Sequence, residues 1–204
     1  MLIGLCGLIG SGKGTVADIL VEKHNFQKIS FADKLKDGVA SVFDWPRDLL
    51  EGNTAEGRNW REQPDTFWTG ELKQEITPRY VLQVFGTECM RHGFFDGIWV
   101  SLVKQKIIDN PTQHWVIPDV RFPNEVKMIK TLKGQMLLVK RGQDPQWFTD
   151  YKDKNIEPND THASEWAWAN TAFDRTIVNN ATLKDLHQQV EISMKLTLMP
   201  AMLF

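Results

Sequence analysis

The chain has 204 residues, 42% of them hydrophobic and 25% charged, with a formal net charge of −2. That is enough for one α/β core and too few for two large ones. The charge balance offers no general attraction to polyanions, which excludes a protein that coats nucleic acid, and no stretch reaches the roughly 20 apolar residues that cross a bilayer. Cys6 and Cys89 lie in a strand-like and a helix-like run, so they read as two reduced, buried thiols. With no positive leader and no long apolar segment before the first glycines, the expected location is the cytoplasm.

In chain order, Leu2–Cys6 reads as a buried strand, residues 12–24 as a helix, residues 27–31 as a second strand and residues 34–43 as a helix. Pro78 suits the first position of a helix that continues to about residue 91, and residues 96–109 form another, stopped by Asn110-Pro111. The alternation then repeats. A strand at residues 114–118 precedes a helix at 124–133, strands follow at Gln135–Lys140 and Arg175–Val178, and Thr182 caps a last helix. This order predicts one α/β domain over residues 1–204, with a mainly parallel central sheet flanked by helices.

Residues 44–77 and 141–170 exceed ordinary connection lengths and read as an acceptor-side insertion and a lid. The first holds eight acidic residues against four basic ones, so it is no nucleic-acid arm. Its Trp45, Trp60 and Trp68 suit a small satellite core better than a base-stacking platform.

The segment "GLCGLIGSGKGT" carries the chemistry. Gly7 to Lys13 supplies the G-x-x-x-x-G-K of a P-loop, set between an apolar strand and a helix. Glycines at Gly7, Gly10, Gly12 and Gly14, with Ser11 among them, let consecutive backbone N–H groups curl round an anion. The helix end adds its positive dipole, and Lys13 reaches the β- and γ-phosphates. Gly14 takes the usual Ser/Thr place, so the metal-binding hydroxyl comes one residue later, at Thr15. A flexible turn would need neither this spacing nor this lysine.

In "HWVIPDVRFPNE", Val116 and Ile117 bury in the sheet and deliver Asp119 to hold Mg²⁺, directly or through water, and Arg121 to touch a phosphate. Arg79 and Gln83 are four apart on one helix face, with Thr87 and Glu88 in the later turns, which suits substrate recognition or a solvated face. In "SFADKLK", Ser30, Asp33 and Lys36 suit an acceptor phosphate, or a helix entry capped by Ser30 or Asp33. Arg58 and Arg61 are candidate lid cations, or solvated loop arginines. "DTHASE" gathers Asp160, His162, Ser164 and Glu165, yet no strand-turn-helix elbow surrounds the serine, so a capping box on Thr161 or Ser164 fits better than a hydrolytic triad.

In "GLIGSGKGT", "SFADKLK", "RYVLQVFGTE", "WVIPDVRFPNE", "VKRGQD", "DTHASE" and "IVNNATLKDL", which together run along most of the chain, the sequence resembles the deoxynucleoside monophosphate kinases of tailed bacteriophages, a branch of the P-loop nucleotide kinases. The resemblance implies ATP-dependent phosphorylation of a deoxynucleoside 5′-monophosphate with Mg²⁺, in the host cytoplasm. It gives Lys13 and the loop amides to the donor triphosphate, and Arg79, Gln83, Thr87 and Glu88 to the acceptor pocket. Asp119 and Arg121 then serve metal and phosphate, Arg141 joins the catalytic cations, and Asn179 contacts the donor base or the sheet edge. The partner is a small molecule, with neither a nucleic acid polymer nor a membrane expected. The apolar tail "LTLMPAMLF" points to core packing or to a homodimer. Competing readings are a kinase for another phosphorylated acceptor, of the dephospho-coenzyme A or phosphomevalonate type, and a non-kinase ATP-binding accessory protein.

Overall fold

Five strands, β1 (Leu2–Cys6), β2 (Phe26–Lys28), β3 (His114–Ile117), β4 (Gln135–Lys140) and β5 (Arg175–Val178), form one parallel sheet in the order β2-β3-β1-β4-β5. The computed structural model describes residues 1–159 and 161–198; Asp160 and residues 199–204, with most of the apolar tail, lie outside the described residues. All five residues of β1 are buried, as a central parallel strand covered on both faces requires. The parallel α/β order expected from the sequence is the one observed.

The chain divides into two compact units, one of residues 1–30 and 106–204 and the other Phe31–Gln105. In the first, α1 (Lys13–His24) buries Val16, Ala17, Ile19 and Leu20, and ends at Asn25, whose left-handed conformation lets its N–H reach the Leu20 carbonyl. Helix α10 (Leu183–Leu198) presents Leu186, Val190 and Met194 at i, i+4 and i+8. These join Ile3, Leu5, Val116, Leu137, Val139 and Ile177 in one core. Truncating Leu186 to alanine there costs about 2–5 kcal/mol.

The second unit holds α2 (Asp33–Phe43), α3 (Arg47–Glu51), α4 (Ala55–Glu62), α5 (Thr66–Leu72) and α6 (Pro78–Val84). The 44–77 segment is thus helical rather than a plain loop. Thr54, Asp65 and Thr77 cap its helices through bonds from Gly57 N (3.0 Å), Trp68 N (2.9 Å) and Tyr80 N (3.1 Å), each worth about 1 kcal/mol. Trp45, Trp60 and Trp68 form the expected satellite core. Trp45 stacks on Phe43 at 4.7 Å, meets Trp60 edge-on at 5.8 Å and donates its indole N–H to Asp65 at 3.0 Å.

Several boundaries differ from expectation. The predicted helix over 78–91 is α-helical only to Val84 and continues as a π-helical segment, Phe85–His92. Within it the Gly86 carbonyl accepts from the Trp99 indole at 3.0 Å. Strand β2 stops at Lys28; Ile29 N–H makes one more bond to Val116 O (3.0 Å) before the chain leaves the sheet. Helix α7 (Ile98–Asp109) starts two residues late, α8 spans Pro123–Thr131, and the 141–170 segment contains α9 (Gln146–Lys154). Among the described residues no helix is long and apolar enough to cross a membrane.

Cys6 is buried as expected, but Cys89 is exposed, because it falls on the π-helical segment away from that segment's buried Gly86. Burial, chiefly, and the nearby Glu125 carboxylate push the Cys6 thiol far above its usual range, and a thiol that stays protonated does not attack. A maleimide added to the native protein should label Cys89 alone, and both cysteines in denaturant. Native labelling of Cys6 would contradict this packing.

Candidate active site

Each strand's carboxyl end leads into a segment with a candidate residue: β1 into Gly7 to Lys13, β2 into Ser30, β3 into Asp119 and Arg121, β4 into Arg141, and β5 into Asn179. In a parallel sheet these ends share one edge, the edge at which open α/β sheets bind ligands.

Two glycines make the first segment possible. A methyl group on Gly7 (φ 152°) would collide with the Val139 carbonyl of β4, and one on Gly12 (φ 101°) with the Asn179 side-chain amide. The loop closes through Ser11 N–H to Leu8 O at 3.1 Å, and α1 begins at Lys13 with no acidic side chain in its first turn. Among the described residues no side chain caps its N-terminus, which leaves the opening N–H groups to an anion. The Ser11 hydroxyl, on a residue 3% exposed, has no partner among the described residues. Gly14 and Thr15 are exposed beside it.

Lys13 folds back so that its ammonium donates to Gly7 O (2.6 Å) and Leu8 O (3.0 Å). Burial first, and then the Arg121 charge, lower its pKa, while Glu165 and Cys6 oppose the shift. Two cations held in mutual repulsion at a helix N-terminus favour the arrival of an anion, which would raise the Lys13 pKa again.

The turn after β3 is braced from three sides. Ser30 Oγ donates to Asp119 Oδ2 at 2.5 Å, Cys6 Sγ donates to Val120 O at 3.4 Å, and the buried Glu125 carboxylate accepts from Arg121 N–H (2.7 Å) and Phe122 N–H (3.0 Å). The Arg121 guanidinium reaches Ser164 Oγ at 3.2 Å and Glu165 Oε1 at 3.4 Å. Ser164 N–H donates to His162 Nδ1, which starts the short 3₁₀ turn Ala163–Glu165. The cap is therefore His162, not Thr161 or Ser164, because the imidazole nitrogen reaches the free N–H. The Ser164 hydroxyl lies 2.9 Å from the same nitrogen. With Arg121 also upon it, this serine sits in a capping network, not on a nucleophile elbow.

Arg141 is exposed beside a small cavity of about 30 Å³ lined in part by Ser11, Lys140, Phe148 and Trp168. Asn179 donates its side-chain N–H to Ser11 O at 2.9 Å, and its backbone N–H to Lys140 O at 2.7 Å.

The remaining candidates belong to the second unit. Lys36, with a side chain 12% exposed, pairs with Glu51 at 2.7 Å. Arg47, a residue the sequence reading passed over, ties Glu51 (2.7 Å) and Asp37 (2.8 Å) together and stands 3.9 Å from Asp33. Asp33 opens α2 behind Ala32, so neither Ser30 nor Asp33 is the helix cap. Arg79 pairs with Glu62 at 2.8 Å, Arg58 donates to Asn53 O at 2.9 Å, and Arg61 lies over Gly52, where a methyl group would strike it. Gln83 and Glu88 are exposed and Thr87 half-buried, with Glu88 3.0 Å from His92. Since the π-helical segment begins at Phe85, Thr87 and Glu88 do not continue the strict i, i+4 stripe of Arg79 and Gln83.

Glu125 also shapes this site and was not among the candidates, and Glu165, weighed only within "DTHASE", does so through Arg121. A signal existed for Glu125: it stands at the third position of a helix opened by Pro123, where a carboxylate reaches back to the preceding N–H groups.

Over residues 61–190 the sequence matches the family described as deoxynucleotide monophosphate kinase. A protein of Acanthamoeba polyphaga mimivirus named as such a kinase is 32% identical over 203 residues, an alignment covering 93% of this chain and 94% of the relative. The deoxynucleoside-5′-monophosphate kinase of Escherichia phage T5 is 40% identical over 85 residues, which is 40% of this chain and 34% of that one. Among solved structures, dephospho-CoA kinase from Campylobacter jejuni aligns over 95% of each chain at 13% identity, with a TM-score of 0.43. With a family match over most of its length and a full-length relative at that identity, the chain belongs to the deoxynucleotide monophosphate kinase family.

Proposed function

We propose that the protein transfers the γ-phosphoryl group of ATP to the 5′-phosphate of a deoxynucleoside monophosphate, giving the diphosphate. The observation that carries this reading is the loop itself. Backbone N–H groups, a buried hydroxyl and the paired cations Lys13 and Arg121 gather at the carboxyl edge of a parallel sheet, an arrangement suited to a polyphosphate. ATP held there supplies the phosphoryl group, and Mg²⁺ neutralises charge on its oxygens.

In this proposal Gly7, Gly10, Ser11, Gly12, Lys13, Gly14 and Thr15 cradle the triphosphate, with Asn179 beside them. Mg²⁺ takes few protein oxygens and completes its shell with phosphate and water; Thr15 and Asp119 are donors of that kind. Arg121 is the cation for the phosphoryl group in flight, and leaves Glu165 for it. Arg79 and Arg141 are assigned to the same charge. Acceptor recognition is assigned to Ser30, Asp33, Lys36, Arg58, Arg61, Arg79, Gln83, Thr87 and Glu88, with residues 44–77 as an acceptor-side insertion and residues 141–170 as a lid within one kinase domain. The acceptor is already an ionised oxygen at neutral pH, so positioning and charge suffice without a dedicated base. Function in the cytoplasm, on a small-molecule substrate rather than a nucleic acid polymer, and as a homodimer, is part of the same proposal.

The decisive assay couples diphosphate formation to a readout across paired ribo- and deoxynucleoside monophosphates, with ATP and Mg²⁺ saturating. Deoxy substrates should show higher kcat/KM, by about ten- to a hundredfold, if a close wall at the 2′ carbon leaves a hydroxyl unpaired. Equal efficiencies would leave a general nucleotide kinase, and activity on dephospho-coenzyme A or phosphomevalonate alone would move the assignment to that acceptor.

Lys13→Ala should retain the fold and lower kcat about a hundredfold or more, because a cation on the transferring group is lost while the loop backbone stays. Near-normal turnover in a folded variant would remove Lys13 from the donor site. Arg121→Lys should lower kcat more than it changes ATP binding, since an ammonium cannot reproduce the planar fork on phosphate. A collapse of ATP binding with turnover otherwise intact would reverse that assignment.

A further inference from the structure

We propose that Asn179 is a positioning residue for the phosphate loop, fixing the Ser11–Gly12 peptide, and not a contact to the base of the nucleotide. The inference rests on the donor-site reading above and goes beyond it by assigning what keeps the cradle in shape.

The side-chain amide of Asn179 donates to Ser11 O at 2.9 Å. Its own backbone is tied to the sheet, with its N–H on Lys140 O at 2.7 Å directly after Val178, which is paired with Lys140. A side chain of two rotatable bonds on an anchored backbone leaves the amide little room to move. In a trans peptide the C=O and N–H point in opposite directions. Holding Ser11 O towards β5 therefore holds Gly12 N–H away from it. Gly12 has φ 101° and no Cβ, so this peptide would otherwise turn over at little cost. The same missing Cβ admits the Asn179 amide, since a methyl group there would collide with it. The neighbouring Asn180 does a separate job, its Oδ1 accepting from Gly142 N–H at 2.6 Å.

The test measures calorimetric binding of ATP and of inorganic tripolyphosphate, which has neither base nor sugar, to the full chain. Asn179→Ala should weaken both ligands by the same factor, about five- to thirtyfold for one lost hydrogen bond. Asn179→Asp keeps the shape and replaces the donor by an acceptor, so it should weaken both at least as much, and it carries the test if the alanine variant fails to fold. Asn180→Asp introduces the same charge one residue away while keeping an accepting oxygen, and should weaken tripolyphosphate far less.

Weaker ATP binding with unaltered tripolyphosphate binding would overturn the proposal in favour of a base or sugar contact. Equal losses in Asn179→Asp and Asn180→Asp, with Asn179→Ala normal, would reduce the effect to charge and overturn it too. If the unsubstituted protein binds neither ligand, the donor-site reading falls and the proposal with it. Normal binding of both ligands by Asn179→Ala overturns the positioning role alone.

Discussion

The carboxyl end of β1 runs so close to β4 that Gly7 has the Val139 carbonyl where a side chain would begin. That contact fixes the path of the chain as it leaves the sheet, and the rest of the donor side follows from it. The loop closes on Leu8, α1 starts at Lys13, and the ammonium of Lys13 finds the two carbonyls, Gly7 and Leu8, that open the turn. Burial of α1 against α10 and the sheet then holds the helix end where its free N–H groups lie. Stability and chemistry share one constraint here: the apolar face of α1 anchors what its first turn presents.

Charge in this region is arranged to be unsettled. Lys13 is half-withdrawn from solvent and feels Arg121, while Glu165 acts as a counterweight to both. The acidic groups nearby are otherwise committed: Glu125 holds two backbone N–H groups, and Asp119 receives Ser30. The second unit is arranged differently, with Lys36, Arg47 and Arg79 each answered by a carboxylate of the same unit. Surface pairs of the Arg79–Glu62 kind hold with little energy, so such a cation can exchange its carboxylate for a stronger anion.

Much of this was legible in the letters. The strands Leu2–Cys6, Gln135–Lys140 and Arg175–Val178 appear with the expected bounds, the first two because their apolar runs in a parallel sheet leave little ambiguity. The phosphate loop declares itself by spacing, and strand ends follow from strands, so Asp119 and Arg121 could be assigned to the carboxyl edge from the sequence, while Arg141 and Asn179 came from the family resemblance. The partners of these residues were not legible. That Arg121 meets Glu165 across 44 residues, or that Asn179 grips Ser11 across 168, depends on tertiary geometry that no local pattern encodes. Cys89 was misjudged for a related reason: periodicity assumes 3.6 residues per turn, and the chain departs from it at Phe85.

That departure bears on how the family can vary. A π-helical segment holds more residues in its turns than an α-helix does, so a chain one residue shorter between Phe85 and His92 could wind as uninterrupted α-helix with its ends in place. Side chains inside the segment would then be re-aimed, while those beyond His92 keep their direction. A one-residue gap here, easily dismissed as a length polymorphism when relatives are aligned, would exchange which of Thr87, Glu88 and Cys89 faces the interior. Paralogues that differ in this way could diverge in selectivity without altering a single letter of their polar residues.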